Sequence, residues 1–107
     1  MLGKEGFIIA ILKDIINEEY QRLIEMEKAY MNIIQSLPKG TIITKRIKGQ
    51  LYPYLCYRDG LKVRTVYLKQ EGAKLEILKE QITQRRQYER ILKEIRKDLK
   101  ITRKIIK

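Results

Sequence analysis

Residues 37–69 read LPKGTIITKRIKGQLYPYLCYRDGLKVRTVYLK, and this stretch decides the fold. Leu37-Pro38-Lys39-Gly40 is a helix stop, because the residue before a proline is pushed out of the α region and glycine readily closes a helix. Beyond it the composition changes. Residues 41–44, 52–57 and 63–67 are rich in the β-branched and aromatic side chains that suit a pleated surface. Asp59-Gly60 is the dipeptide of a type I′ hairpin turn, and Gly49-Gln50 supplies a second turn. The stretch therefore predicts a three-stranded antiparallel meander over roughly 41–48, 51–58 and 61–69. Pro53 fits a central strand poorly, so a bulge is expected near it.

Two-residue turns at those places pair Arg58 with Leu61 and Lys48 with Leu51. One face then presents Ile43, Lys45, Ile47, Tyr52, Tyr54, Cys56, Val63, Thr65 and Tyr67, and the other Arg46, Lys48, Leu55, Tyr57, Lys62, Arg64 and Val66. The first is expected to be the core face, with its tyrosines and Cys56 packed inward. The second sets four cations around Tyr57 and is the candidate contact surface. A one-residue slip of register would exchange the two sets.

Outward from the meander, both flanks read as helix. In residues 1–37, Ile9, Leu12, Ile16, Leu23, Met26, Tyr30, Ile33 and Leu37 recur in steps of three and four, with Glu19 filling the one gap. In residues 71–107, Leu75, Leu78, Ile82, Tyr88, Leu92, Ile95, Leu99 and Ile106 do the same, with Arg85 and Thr102 at two stripe positions. The predicted class is α+β: a single domain over 1–107, with two long antiparallel helices in a coiled-coil-like hairpin flanking the sheet. A two-helix hairpin covers only a narrow stripe, so pairing of two copies into a homodimer is expected.

The net charge is +11 and is unevenly spread. Residues 1–37 are mildly acidic at −2, whereas residues 38–70 hold eight basic side chains against Asp59 alone and residues 71–107 hold twelve against six. A polyanionic partner, DNA or RNA, is the natural reading of that balance. Lys-rich helices can also serve solubility alone, and lysines on edge strands can merely prevent aggregation. Residues 96–107 add six cations and one anion. Within them Arg96, Lys97, Lys100, Arg103 and Lys104 join Arg46, Lys48, Tyr57, Lys62 and Arg64 as candidate nucleic-acid contacts. This run could instead lie on an anionic membrane surface, or simply suit the negative end of a helix dipole.

The chain has no histidine and one cysteine, Cys56. Those absences remove the commonest general base and argue against a disulfide or a cysteine-built zinc site. No glycine-rich phosphate loop is present, so no catalytic residue, metal or cofactor is expected. The apolar run at residues 7–12 is shorter than a signal-peptide core and far short of a membrane span, and Leu2 before Gly3 breaks a myristoylation pattern. A cytoplasmic protein without membrane insertion is expected.

The meander also carries a resemblance. Leu37-Pro-Lys-Gly40, Lys48-Gly49, and Tyr52-x-Tyr54-Leu55-x-Tyr57-Arg58-x-Gly60-x-Lys62-Val63-x-x-x-Tyr67 resemble a group of short uncharacterised bacterial and mobile-element proteins. Leu78-x-x-x-Ile82-x-x-Arg85-Arg86 fits the same group, and the likeness covers about half of the chain. Similar tyrosine-and-glycine hairpins precede the catalytic parts of some transposases, whose catalytic residues have no counterpart here. The resemblance implies the meander-then-basic-helix fold and a phage or mobile-element setting, but no activity. Two functions follow as expectations: a nucleic-acid-binding accessory protein, or a protein-interaction module that could inhibit a host defence complex.

Overall fold

A computed structural model describes residues 3–69 and 72–106. Glu71, the expected start of the second helix, lies outside the described residues, as do Leu2 and the last cation, Lys107. The element order is α1 (Lys4–Ser36), β1 (Thr41–Ile47), β2 (Gln50–Asp59), β3 (Lys62–Tyr67) and α2 (Ala73–Ile106). The three strands form one antiparallel sheet in the order β1-β2-β3, so the class is α+β. The chain divides into two compact units. One joins α1 up to Ile34 with α2 from Tyr88 onward, and the other spans residues 35–87.

In the helical unit, Leu23, Ile95 and Leu99 are each at most 4% exposed, with Tyr20, Ile24, Met26 and Tyr30 packed around them. Tyr30 stacks at a tilt on Tyr88 with centroids 5.5 Å apart, Glu27 pairs with Arg96 at 3.0 Å, and Tyr20 meets Arg103 at 3.3 Å. Rising numbers on α1 thus meet falling numbers on α2. On α2 every expected stripe residue, including Arg85 and Thr102, is buried or half-buried.

On α1 the expectation holds only in the middle. Ile9, Leu12 and Ile33 are exposed, and Ile34 is buried in place of Ile33. A strict alternation of three and four has a period of 3.5, whereas the helix turns in 3.6, so the stripe drifts by about 20° per heptad. Near the start of α1 the reason is different. Tyr20 already meets Arg103, three residues before α2 ends at Ile106, so the first turns of α1 have no described α2 residue opposite them.

The meander forms with its turns one residue away from their expected places. β1 and β2 are joined by Lys48-Gly49, both at positive φ (51° and 83°), which is the type I′ pattern. β2 and β3 are joined by Gly60-Leu61. Only Gly60 has positive φ (64°), so this turn follows the II′ pattern with glycine at its first central position, not I′ at Asp59-Gly60. The ladders are therefore Ile47↔Gln50 to Thr41↔Cys56 and Asp59↔Lys62 to Tyr54↔Tyr67. Each pairing moves by two residues from expectation. An even slip returns every side chain to the same face, so the two face sets survive, apart from Lys48, which moves into the turn.

Pro53 sits in regular register opposite Thr44, without the expected bulge. Its carbonyl accepts the Leu68 N–H at 3.0 Å, so its missing N–H would point to the same side, towards β3. The β3 ladder stops there, and the β1 ladder loses no bond.

Gly40 anchors the entry to the sheet. A Cβ there would lie 2.7 Å from the Cys56 carbonyl oxygen and 2.9 Å from Leu55 Cδ1, at a φ of +125° that only glycine tolerates. Arg85 donates to the Leu37 carbonyl, and Arg86 donates to the Gly40 carbonyl at 2.9 Å and to Thr41 Oγ1 at 2.8 Å. Two adjacent arginines of α2 thus hold the stop signal in place.

Candidate nucleic-acid interface

No described strand residue is buried. This overturns the expectation that Ile43, Tyr52, Tyr54, Cys56 and Tyr67 form a core face: the first four are half-buried and Tyr67 is 44% exposed. A core face needs a second layer packed on it, and α2 reaches over the opposite face instead. The buried apolar groups of this unit are Ile82 on α2 and Leu68 just past β3. Ile42 and Thr44, on the same face as Arg46, Leu55 and Tyr57, line a groove of about 350 Å³ with Thr41, Lys79, Ile82, Thr83 and Arg86. The expected contact face is thus the one that α2 reaches over.

The expected cations separate by position. Arg46, Lys62 and Arg64 share a face with Tyr57, but Arg46 pairs with Leu51 and Arg64 with Tyr57. Those two rows are six residue steps apart along β2, about 20 Å at the rise of a strand. Lys62 and Arg64 stand beside the β2–β3 turn, where Arg64 donates to Asp59 at 2.6 Å and is partly neutralised. Lys48 forms the opposite tip, next to Arg46 and Lys45.

No Asp or Glu occurs from residue 28 to residue 58. β1 and the β1–β2 turn therefore carry Lys45, Arg46 and Lys48 without a carboxylate, whereas Asp59 closes the far end of β2 beside Arg58. The unit of residues 35–87 holds twelve basic against four acidic side chains, whereas the helical unit holds twelve against nine. Lys48 adopts a left-handed conformation that asparagine, aspartate or glycine would enter more easily.

In the helical unit the C-terminal candidates are partly engaged. Arg96 pairs with Glu27, and Lys97 pairs with Glu94 at 3.2 Å. Arg103 lies over the Tyr20 ring, 6.0 Å from its centroid, and donates to its hydroxyl, which holds the guanidinium above the ordinary arginine value. Lys100 and Lys104 are exposed. The meander set and the C-terminal set thus belong to different units.

The open face of the sheet holds a cluster that sequence reasoning assigned to the core. Tyr54 and Tyr67 have centroids 5.4 Å apart, and Tyr52 and Tyr67 6.1 Å. Lys45 Nζ stands 4.6 Å from the Tyr54 centroid, and Tyr52 donates to Gln50 Oε1 at 2.8 Å. The signal was present in the i, i+2 spacing of Tyr52 and Tyr54, which puts both rings on one face, but alternation does not tell whether a layer covers that face.

Among the described residues, no group of acidic, cysteine or histidine side chains is arranged to hold a metal ion, and no helix is long and apolar enough to cross a membrane. No family model, curated protein or solved structure matches the chain.

Proposed function

We propose that this protein binds nucleic acid through the cationic tip of its β1–β2 hairpin, without chemically changing what it binds. The acid-free stretch from residue 28 to residue 58 supports the reading most strongly, because Lys45, Arg46 and Lys48 follow one another in β1 and its turn with no carboxylate among them. Lys45 and Arg46 lie on opposite faces of the ribbon, with Lys48 between them at its end. A flat surface could meet only part of that set, whereas a groove or a wrapping strand can meet all of it. A two-stranded ribbon has the width to enter a major groove.

Each lysine or arginine that neutralises a phosphate releases condensed counterions, so affinity falls with salt in proportion to the number of contacts. Replacing Lys45, Arg46 and Lys48 together with alanine should therefore shallow the log–log salt dependence by up to about 2.7 for duplex DNA. An unchanged slope in a folded triple variant rejects the hairpin tip as the site.

A second reading rests on a different observation. Phe7, Ile8, Ile9, Leu12 and Ile15 on the first half of α1 are each more than half exposed. A contiguous apolar patch of this kind marks an association surface. In this reading the helix pair is a coiled-coil-like hairpin whose open end pairs with a second copy. Sedimentation at micromolar concentration should then give a mass above the 12.8 kDa of one chain. Ile8→Lys with Ile15→Lys should return that mass to the monomer while helicity is kept. A monomeric parent protein rejects the reading.

A further inference from the structure

We infer that the tyrosine face of the sheet is a stacking platform for the bases of a single-stranded nucleic acid. This inference rests on the nucleic-acid reading above and specifies its ligand. Tyr52, Tyr54 and Tyr67 share one sheet face through the pairings Lys45↔Tyr52, Ile43↔Tyr54 and Tyr54↔Tyr67. Their rings form a continuous patch with centroid separations of 5.4 and 6.1 Å.

The three rings have different roles. Tyr54 has Lys45 over its ring and Tyr67 beside it, so it holds its neighbours in position. Tyr67 is the most accessible of the three, and Tyr52 flanks it. These two offer π surface to an incoming base. In a duplex the bases are stacked on one another and their faces are closed. In a single strand they can splay outward, and every base has a face that an aromatic ring can take.

Charge complementarity selects the same occupant. Lys45 and Arg58 lie on the tyrosine face, Lys48 stands at its tip, and β1 and the turn after it hold no acid. A strand whose bases rest on Tyr67 and Tyr52 would run its phosphates along these cations. The rings read no particular base, so the platform is expected to tolerate sequence.

The test uses fluorescence anisotropy of the full chain with labelled 15-mers of thymidine and uridine and a duplex of equal length. Tyr67→Leu should weaken single-strand binding by roughly 5- to 150-fold, with the salt slope unchanged, since a ring contact releases no counterions. Tyr67→Phe should bind within about threefold of the parent, because the stacking ring remains. Duplex affinity should be nearly unaffected in both. Photocrosslinking of the unmodified protein to iodouridine oligomers should label Tyr67 or Tyr52, which keeps the test valid if a leucine variant misfolds. Parent-like single-strand binding by folded Tyr67→Leu, or crosslinks confined to other residues, overturns the platform while salt-dependent binding sustains the broader reading. Failure of every oligomer to bind the parent protein overturns both.

Discussion

Lys48→Asn separates the two properties that meet at the β1–β2 turn. Lys48 has a φ of 51°, and Gly49 follows at 83°. A left-handed conformation raises the energy of an ordinary L-residue by about 1–2 kcal/mol. Asparagine tolerates that region far better, and Asn-Gly is the dipeptide that type I′ turns favour. Recovering about half of the strain gives a gain of roughly 0.5–1 kcal/mol. For a domain near this size the melting temperature should rise by about 2–6 °C. Binding should change in the opposite sense, because one cation is lost from the hairpin tip. The slope of log affinity against log salt should become shallower by about 0.9 on duplex DNA or 0.7 on a single strand. At 0.1 M salt that corresponds to a weakening of about five- to eightfold. Circular dichroism melts and an anisotropy titration over a salt series read both effects on one sample. A melting temperature that falls would refute the turn geometry, and an affinity that stays level would remove Lys48 from the interface.

Three further outcomes follow. Gly40→Ala should lower stability by more than about 2 kcal/mol, since the new Cβ meets the Cys56 carbonyl at 2.7 Å and the φ of +125° is strained; a denaturant midpoint at the parent value would contradict the contact. Leu99→Ala should cost about 2–5 kcal/mol, because the side chain is 4% exposed, whereas Ile101→Ala, at 57% exposure, should cost under about 1 in the same denaturation series. With no histidine in the chain, affinity and melting temperature should stay level from about pH 5.5 to 7. In acid, Glu19 is held below the ordinary carboxylate value by the hydrogen bond from Arg22, so its contribution is present above that ordinary value and disappears only as pH falls through the lowered one. A titration step between those two limits in either quantity would be inconsistent with this composition.

The α2 stripe was legible from the sequence because leucine and isoleucine mark nearly every position that the structure covers. The meander was equally legible in outline, since Pro38, Gly40, Gly49 and Gly60 punctuate it and β-branched and aromatic residues fill it. The turns were harder to place. Asp59-Gly60 is the stronger dipeptide on local preference, yet Gly60-Leu61 is the pair that turns, and a lysine occupies a left-handed position that sequence preference gives to asparagine or glycine. The face sets survived because both ladders moved by two residues, an even number. The assignment of core to one face did not survive, because alternation tells which residues lie together but not whether another layer covers them. Likewise the sequence showed where the cations are, while the pairing of Arg64 with Asp59, Arg96 with Glu27 and Lys97 with Glu94 required coordinates.

Nucleic-acid binding by the hairpin tip is tested most directly by the affinity of the unmodified protein for a labelled oligonucleotide, taken from about 50 to about 400 mM salt. Binding is expected at the low end, with a straight, steep decline of log affinity against log salt whose slope the Lys45, Arg46 and Lys48 alanine variant reduces. Absence of binding at 50 mM salt, or an affinity that salt does not alter, would contradict it.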